Sequence, residues 1–231
     1  AADYGLPQRR RRIFILGYHR SSTIYKDFES TNPENWIMEA GTMAQTFPVV
    51  QPHTNHFETH GKIDQFEING DLVELSVSFN VDKKLSPFKN SGIFINGTVY
   101  TTKSIPNFSG TKMVLGDVLQ NGKVPDDYYI LPEDYPKWEY LKGAKKETRK
   151  TGAGFEYDYS EGGMIFPDNL DNASRTIITG EGGKTPSRFK HAIQTPKGLR
   201  RLTPVELERL NMFPDDHTKL EGVTDAKRAF F

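Results

Sequence analysis

Val73, Leu75, Val77 and Phe79 alternate with Glu74, Ser76 and Ser78, the period of a strand with one buried and one wet face. With residues 65–68 and the intervening Asn69-Gly70, this pattern predicts a hairpin closed by a two-residue type I′ turn. The same grammar recurs at residues 92–95, Asn96-Gly97 and 98–102, and a third Asn-Gly lies at Asn121-Gly122. The sum predicts a twisted, mostly antiparallel sheet between roughly residues 62 and 102. Ile13, Phe14, Ile15 and Leu16, bounded by Pro7 and Gly17, predict a strand over 12–18, buried on both faces as in a parallel sheet. Short elements are expected at 33–38 (helix), 117–119 (helical turn) and 175–178 (strand). The clearest helix begins at Thr203-Pro204-Val205-Glu206: an N-cap, a proline at N1 and a glutamate at N3 that completes a capping box. Phe213-Pro214 ends it.

Composition narrows the class. With 12% aromatic residues the chain can build a core, so its 26% charged content does not signal disorder. The run from Ile13 to Leu16 is far too short for a membrane span, and no signal peptide is visible. The chain begins Ala-Ala, which suggests a piece of a longer parent. The absence of cysteine excludes disulfides and thiolate metal sites. His53, His56 and His60 lie close together, but Pro52 and Asn55 argue against a regular helix that would converge them on a metal.

Net charge is zero, yet the charge is segregated. Arg9 to Arg12 with Arg20 form one basic block, and Lys142, Lys145, Lys146, Arg149 and Lys150 a second. From Lys184 to Arg201 there are six basic residues and no acidic one, while acid collects between Asp117 and Glu139. Separated blocks of opposite sign suit a nucleic-acid face backed by an acidic surface, although solvated loops give the same pattern.

Three segments carry candidate chemistry. In Gln8-Arg9-Arg10-Arg11-Arg12 an extended backbone would send Gln8, Arg10 and Arg12 one way and Arg9 and Arg11 the other. Guanidinium groups there are permanently charged, planar donors. Ser174-Arg175-Thr176-Ile177-Ile178-Thr179 is followed by Gly180-Glu181-Gly182-Gly183, whose glycines would admit a close backbone approach. Arg201-Leu202-Thr203-Pro204-Val205-Glu206 opens the capped helix, in which Glu206 and Arg209 are spaced to pair.

These segments resemble the late motifs of the cytosine-5 DNA methyltransferases: the Gln-x-Arg-x-Arg motif, a Ser-Arg-Thr-Ile phrase before a Gly-rich recognition loop, and the Arg-Leu-Thr-Pro-x-Glu helix. The resemblance implies that Gln8, Arg10 and Arg12 face the pocket of a flipped base as accessory catalytic residues. It implies that Thr176 and Ile177 press on the DNA backbone, that Gly180, Gly182 and Gly183 approach a groove, and that Lys184, Arg188, Lys190 and His191 meet phosphates or base edges. The parent reaction it implies is methyl transfer from S-adenosylmethionine to carbon 5 of a cytosine flipped out of double-stranded DNA. The chain lacks that family's Phe-x-Gly-x-Gly cofactor loop, its Pro-Cys nucleophile, its Glu-Asn-Val motif and its final Gly-Asn-x-Val/Leu segment.

The expectation is therefore an α+β chain. A mostly antiparallel β target-recognition domain (21–199) is flanked by an edge strand (1–20) and a helix motif (200–231), both belonging to an α/β, Rossmann-like methyltransferase domain. Its partners are double-stranded DNA and an N-terminal catalytic domain or separate catalytic subunit, with no membrane. The cofactor is the parent's, and no metal is expected. The setting is cytoplasmic, at the bacterial nucleoid, in a restriction-modification system. Two alternatives stand: a specificity subunit working with a separate catalytic chain, and a β-rich carbohydrate- or protein-binding module.

Overall fold

The computed structural model describes residues 1–52, 63–78 and 86–228, which form two compact units. One comprises residues 13–110; the other joins 1–12 to 111–231. Residues 111–199 share a unit with residues 1–12 and 200–231. The three histidines considered for metal lie outside the described residues, as does Phe79.

In the first unit α1 (Thr23–Glu29) starts on Ser22, whose hydroxyl accepts from the Tyr25 amide. α2 (Pro33–Asn35) starts on Asn32 and runs into a π-helical turn, Trp36–Ala40, so the expected helix at 33–38 forms. α3 (Thr42–Thr46) follows, and β1 (Val49–Val50) pairs antiparallel with β5 (Ile105–Pro106). β2 (Asp64–Glu67), β3 (Ser91–Ile95) and β4 (Thr98–Thr102) make an antiparallel sheet in the order β2-β4-β3. The β3–β4 hairpin is the one expected: Asn96 and Gly97 take φ of 50° and 82°, the two positive values of a type I′ turn.

Two expectations fail here. Residues 72–78 form a helix, α4 (Leu72–Ser78), not the second arm of a hairpin. Asp71 decides it: its carboxylate accepts from the Val73 amide at 2.8 Å and its carbonyl from the Leu75 amide at 2.9 Å, a helix start that overrides the alternation. β2 takes β4 as its partner instead. The strand expected at 12–18 is also absent. Residues 13–17 lie in no strand, with Ile13 89% and Ile15 88% exposed. An apolar run favours a strand only where a sheet edge receives it, and none among the described residues does.

The second unit contains the larger core. α5 (Tyr135–Lys142) leads into a long hairpin, β6 (Lys145–Lys150) and β7 (Glu156–Glu161), on which the Arg149 guanidinium stacks 3.4 Å from the Tyr159 ring. A tighter hairpin, β8 (Ile193–Thr195) and β9 (Gly198–Arg200), precedes α6 (Pro204–Leu210), and α7 (Asp225–Arg228) follows. The capping box is present: Thr203 Oγ1 accepts from the Glu206 amide, and Glu206 accepts from the Thr203 amide at 2.8 Å. Leu115, Val118, Ile193, Leu202, Leu207 and Leu210 pack as one buried cluster, and Ile130, Trp138, Ala192 and Leu199 as another. Residues 115–118 form a 3-10 turn close to the one expected, whereas 175–178 is not a strand: a single parallel bridge joins Gln8 to Ser174. Helices with antiparallel sheets make the chain α+β. No helix among the described residues is long and apolar enough to cross a membrane.

Candidate nucleic-acid interface

The three segments singled out in the sequence meet at Gln8, within the second unit. The Ser174 amide donates to the Pro7 carbonyl at 2.7 Å, the Arg9 amide to the Ser174 carbonyl at 2.8 Å, and the Thr176 hydroxyl to the Arg9 carbonyl at 2.7 Å. The buried Gln8 side chain donates from Nε2 to the Leu210 carbonyl of α6 at 3.3 Å. Its Oε1 is buried with no hydrogen-bond partner among the described residues, an arrangement that costs about 1–3 kcal/mol unless a donor arrives. From this junction Arg9, Arg11 and Arg12 reach solvent and Arg10 is half-buried; Arg12 Nη1 donates to the Arg11 carbonyl.

The glycine loop is held from beneath. Glu181 is 3% exposed, and its carboxylate accepts from the His191 amide and from His191 Nδ1, both at 2.9 Å. His191 Nε2 lies 2.9 Å from Ser174 Oγ. Lys190 Nζ donates to the Gly183 carbonyl at 2.9 Å and the Thr185 carbonyl at 2.8 Å, and Arg201 Nη1 to the Gly182 and Gly183 carbonyls. Burial pushes the Lys190 amine below its ordinary value. A side chain at Gly183 would place its Cβ 2.8 Å from that ammonium, so the lysine head would have to shift to admit it.

The basic residues expected at DNA thus separate into two groups. Lys184 projects into solvent, 3.3 Å from Asp127. Arg188, only 13% exposed at its side chain, donates to the carbonyls of Leu141, Gly143 and Gly162 and roots the β6–β7 hairpin. Lys190 is engaged by its own loop. His191 is fully buried and cannot meet a phosphate, which corrects the expectation for that residue. Thr176 is exposed beside Arg9, while Ile177 is half-buried and packs on the Leu115 cluster. Gly180 and Gly183 are partly open; Gly182 is buried.

Sequence reasoning missed the polar layer below. Asp168 receives Arg175 Nε at 2.8 Å, Arg175 Nη2 at 3.0 Å and the Ala192 amide at 2.9 Å. Burial raises its pKa, but the Arg175 hydrogen bonds, the His191 charge and the Ala192 amide together outweigh burial and hold it below the ordinary value. Lys142, 1% exposed, donates to the Lys190 carbonyl, and burial pulls its pKa down to about 8. Glu206 pairs with Arg200, and Arg209 pairs with Asp215, so the Glu206–Arg209 pair suggested by spacing does not form. One signal was available: Ala192-Ile193 directly after His191 marks the edge of a buried strand.

Of two cavities lined by described residues, neither fits S-adenosylmethionine. The larger, about 460 Å³, is lined by Asp215, Asp216 and Asp225, whose carboxylates are taken by Arg209, Lys219 and Arg228. The smaller, about 390 Å³, offers Asp27 as its one carboxylate, and neither is lined by a glycine that would let a nucleotide approach the backbone. No step of methyl transfer is assigned to them.

An arginine segment, a braced glycine loop and a capped helix joined at one glutamine define the class: the chain belongs to the C-5 cytosine-specific DNA methylase family, matched over residues 1–230. It is 35% identical over 230 residues to the type II methyltransferase M.Sau3AI of Staphylococcus aureus. The match covers 100% of this chain and 52% of that relative, so the chain spans about half the relative's length. No solved structure matches.

Proposed function

We propose that this chain is the target-recognition portion of a DNA (cytosine-5-)-methyltransferase, and that the nucleophile and the S-adenosylmethionine site lie outside it. The observation that carries this reading is the junction at Gln8, where segments from three distant parts of the sequence meet through the Ser174–Pro7, Arg9–Ser174 and Gln8–Leu210 bonds. The absence of cysteine supports it, because carbon 6 of the cytosine must be attacked by a thiolate. In this reading Arg10 and Arg12, with Gln8 behind them, form the lip of the pocket that receives the flipped cytosine. Gln8 Oε1, buried and without a hydrogen-bond partner among the described residues, is placed to accept from a donor on the catalytic domain. Thr176, Gly180, Gly183 and Lys184 face the duplex; Ile177, Gly182, Arg188 and Lys190 shape that surface from behind. Residues 21–199 carry the recognition surface, and 1–20 and 200–231 adjoin a Rossmann-like catalytic domain. The partners are double-stranded DNA and that domain, or a separate catalytic chain.

The test is binding of the 231-residue chain to duplex DNA across a salt series, with methyl transfer assayed in parallel. The expected result is weak affinity that falls with log salt at a slope of about 0.9 per phosphate contacted, and no transfer. Salt-independent binding, or methylation by this chain alone, contradicts the proposal. In a complete enzyme Arg12→Ala is expected to reduce turnover sharply with folding retained.

A further inference from the structure

We infer that His191 is a positioning residue that ties the arginine segment to the glycine loop, donating from Nε2 to Ser174 and meeting Glu181 through Nδ1. The inference deepens the reading above and rests on it for its functional consequence, but its structural basis is independent.

The hydrogen-bond count around His191 leaves little choice. Ser174 has one hydroxyl proton and two neighbours that could take it: the Arg175 carbonyl at 2.7 Å and His191 Nε2 at 2.9 Å. A carbonyl can only accept. If the proton went to Nε2, the Ser174 oxygen and the Arg175 carbonyl would face each other at 2.7 Å with no hydrogen between them. With the proton on the carbonyl, Nε2 must donate to Ser174. On the other side Nδ1 meets Glu181 Oε1 at 2.9 Å, and one proton bridges the two.

The other Glu181 oxygen accepts from the His191 amide, and Oε1 also accepts from the Ile178 amide at 3.4 Å. The nearby cations are engaged elsewhere: Lys142 on the Lys190 carbonyl, Arg175 on Asp168, Arg188 on hairpin-root carbonyls, and Lys190 and Arg201 on loop carbonyls. His191 is therefore the one side chain bonded to this carboxylate among the described residues. The ring is 0% exposed and the side chain of Glu181 2%, so water does not compete for the contact.

This contact sits between two segments. Glu181 belongs to the loop Gly180–Gly183. Ser174 donates its amide to Pro7 and accepts the Arg9 amide on its carbonyl. A shift of the loop therefore reaches the segment bearing Arg10 and Arg12 through two side-chain contacts, Glu181–His191 and His191–Ser174.

Long-range nitrogen–proton spectra of the chain are expected to show His191 Nε2 protonated; an unprotonated Nε2 overturns the assignment. Native-state hydrogen exchange reads the coupling. Ser174→Ala removes the partner of Nε2 and keeps the backbone of residue 174. It is expected to speed exchange at the Arg9 amide about tenfold or more, with the Ile130 amide, bonded to Leu199, nearly unchanged. Glu181→Gln, which retains an acceptor for Nδ1, reads the same link from the loop end. Equal acceleration at both amides, or none at either, overturns the inference. DNA binding separates the two readings. A wild-type chain without salt-dependent binding removes the proposed function but leaves the exchange result standing. A wild-type chain that binds, with Ser174→Ala binding identically, overturns the positioning role.

Discussion

The Arg200 guanidinium holds both carboxylate oxygens of Glu206 at 2.7 Å, with the two side chains 3% and 0% exposed. Glu206 also accepts from the amides of Thr203 and of Gln120, 86 residues away, so one carboxylate caps α6, pairs with β9 and fastens the 120 loop.

Breaking that fork leaves a buried charge unpaired. Arg200→Ala is expected to destabilise the chain by about 3–5 kcal/mol, read as a lower denaturant midpoint. The exposed Arg209–Asp215 pair, at the same 2.7 Å, is the control: Asp215→Ala is expected to leave the midpoint close to wild type, because solvent screens it.

Lys142 makes the chain gain stability in mild alkali. Its folded pKa, about 8, lies below the ordinary lysine value of 10.5, so the unfolded chain binds more protons between those values and stability rises with pH across that window. Unfolding free energies at pH 7.5, 9 and 10.5 (about one Lys titration range) should climb more steeply for wild type than for Lys142→Met. Parallel profiles would remove burial of this amine as the cause.

Acid acts oppositely through Asp168 and Glu208. Burial raises both pKa values, but hydrogen bonds outweigh it, from Arg175 for Asp168 and from Thr218 and Arg228 for Glu208, and each ends below its ordinary value. Their contribution is present above the unfolded values of 3.8 and 4.5 and is lost as pH falls through the lower folded ones. Asp168→Asn is expected to lower stability at neutral pH and to flatten the acid limb, seen by near-ultraviolet circular dichroism.

Lys184 and Arg188, four positions apart, should behave as different kinds of residue. Lys184→Ala is expected to weaken DNA binding and reduce the salt slope by about 1, with stability unchanged. Arg188→Ala frees the carbonyls of Leu141, Gly143 and Gly162 and is expected to lower the melting temperature first. Thermal scans beside binding isotherms separate the two.

Local grammar was legible where local chemistry decides. The Thr203 capping box and the Asn96-Gly97 turn need no information beyond four residues, and both form as read. The pattern at 72–78 misled because Asp71 offered a helix start at the same place. The run at 13–16 misled because a strand depends on a partner the pattern cannot name. Which cations face solvent was not legible at all: Lys184, Arg188 and Lys190 look alike in the sequence, and only the carbonyls beneath distinguish them. Glu181 was read as part of a flexible glycine run, and its partner His191 lies ten positions on.

The Met113 amide donates to the Gly5 carbonyl at 3.0 Å, so the two stretches of the second unit that flank residues 13–110 are bonded to each other. A segment whose flanks are joined in this way is an insert in the engineering sense, and a change in its length is borne by the segment without redrawing the framework around Gln8.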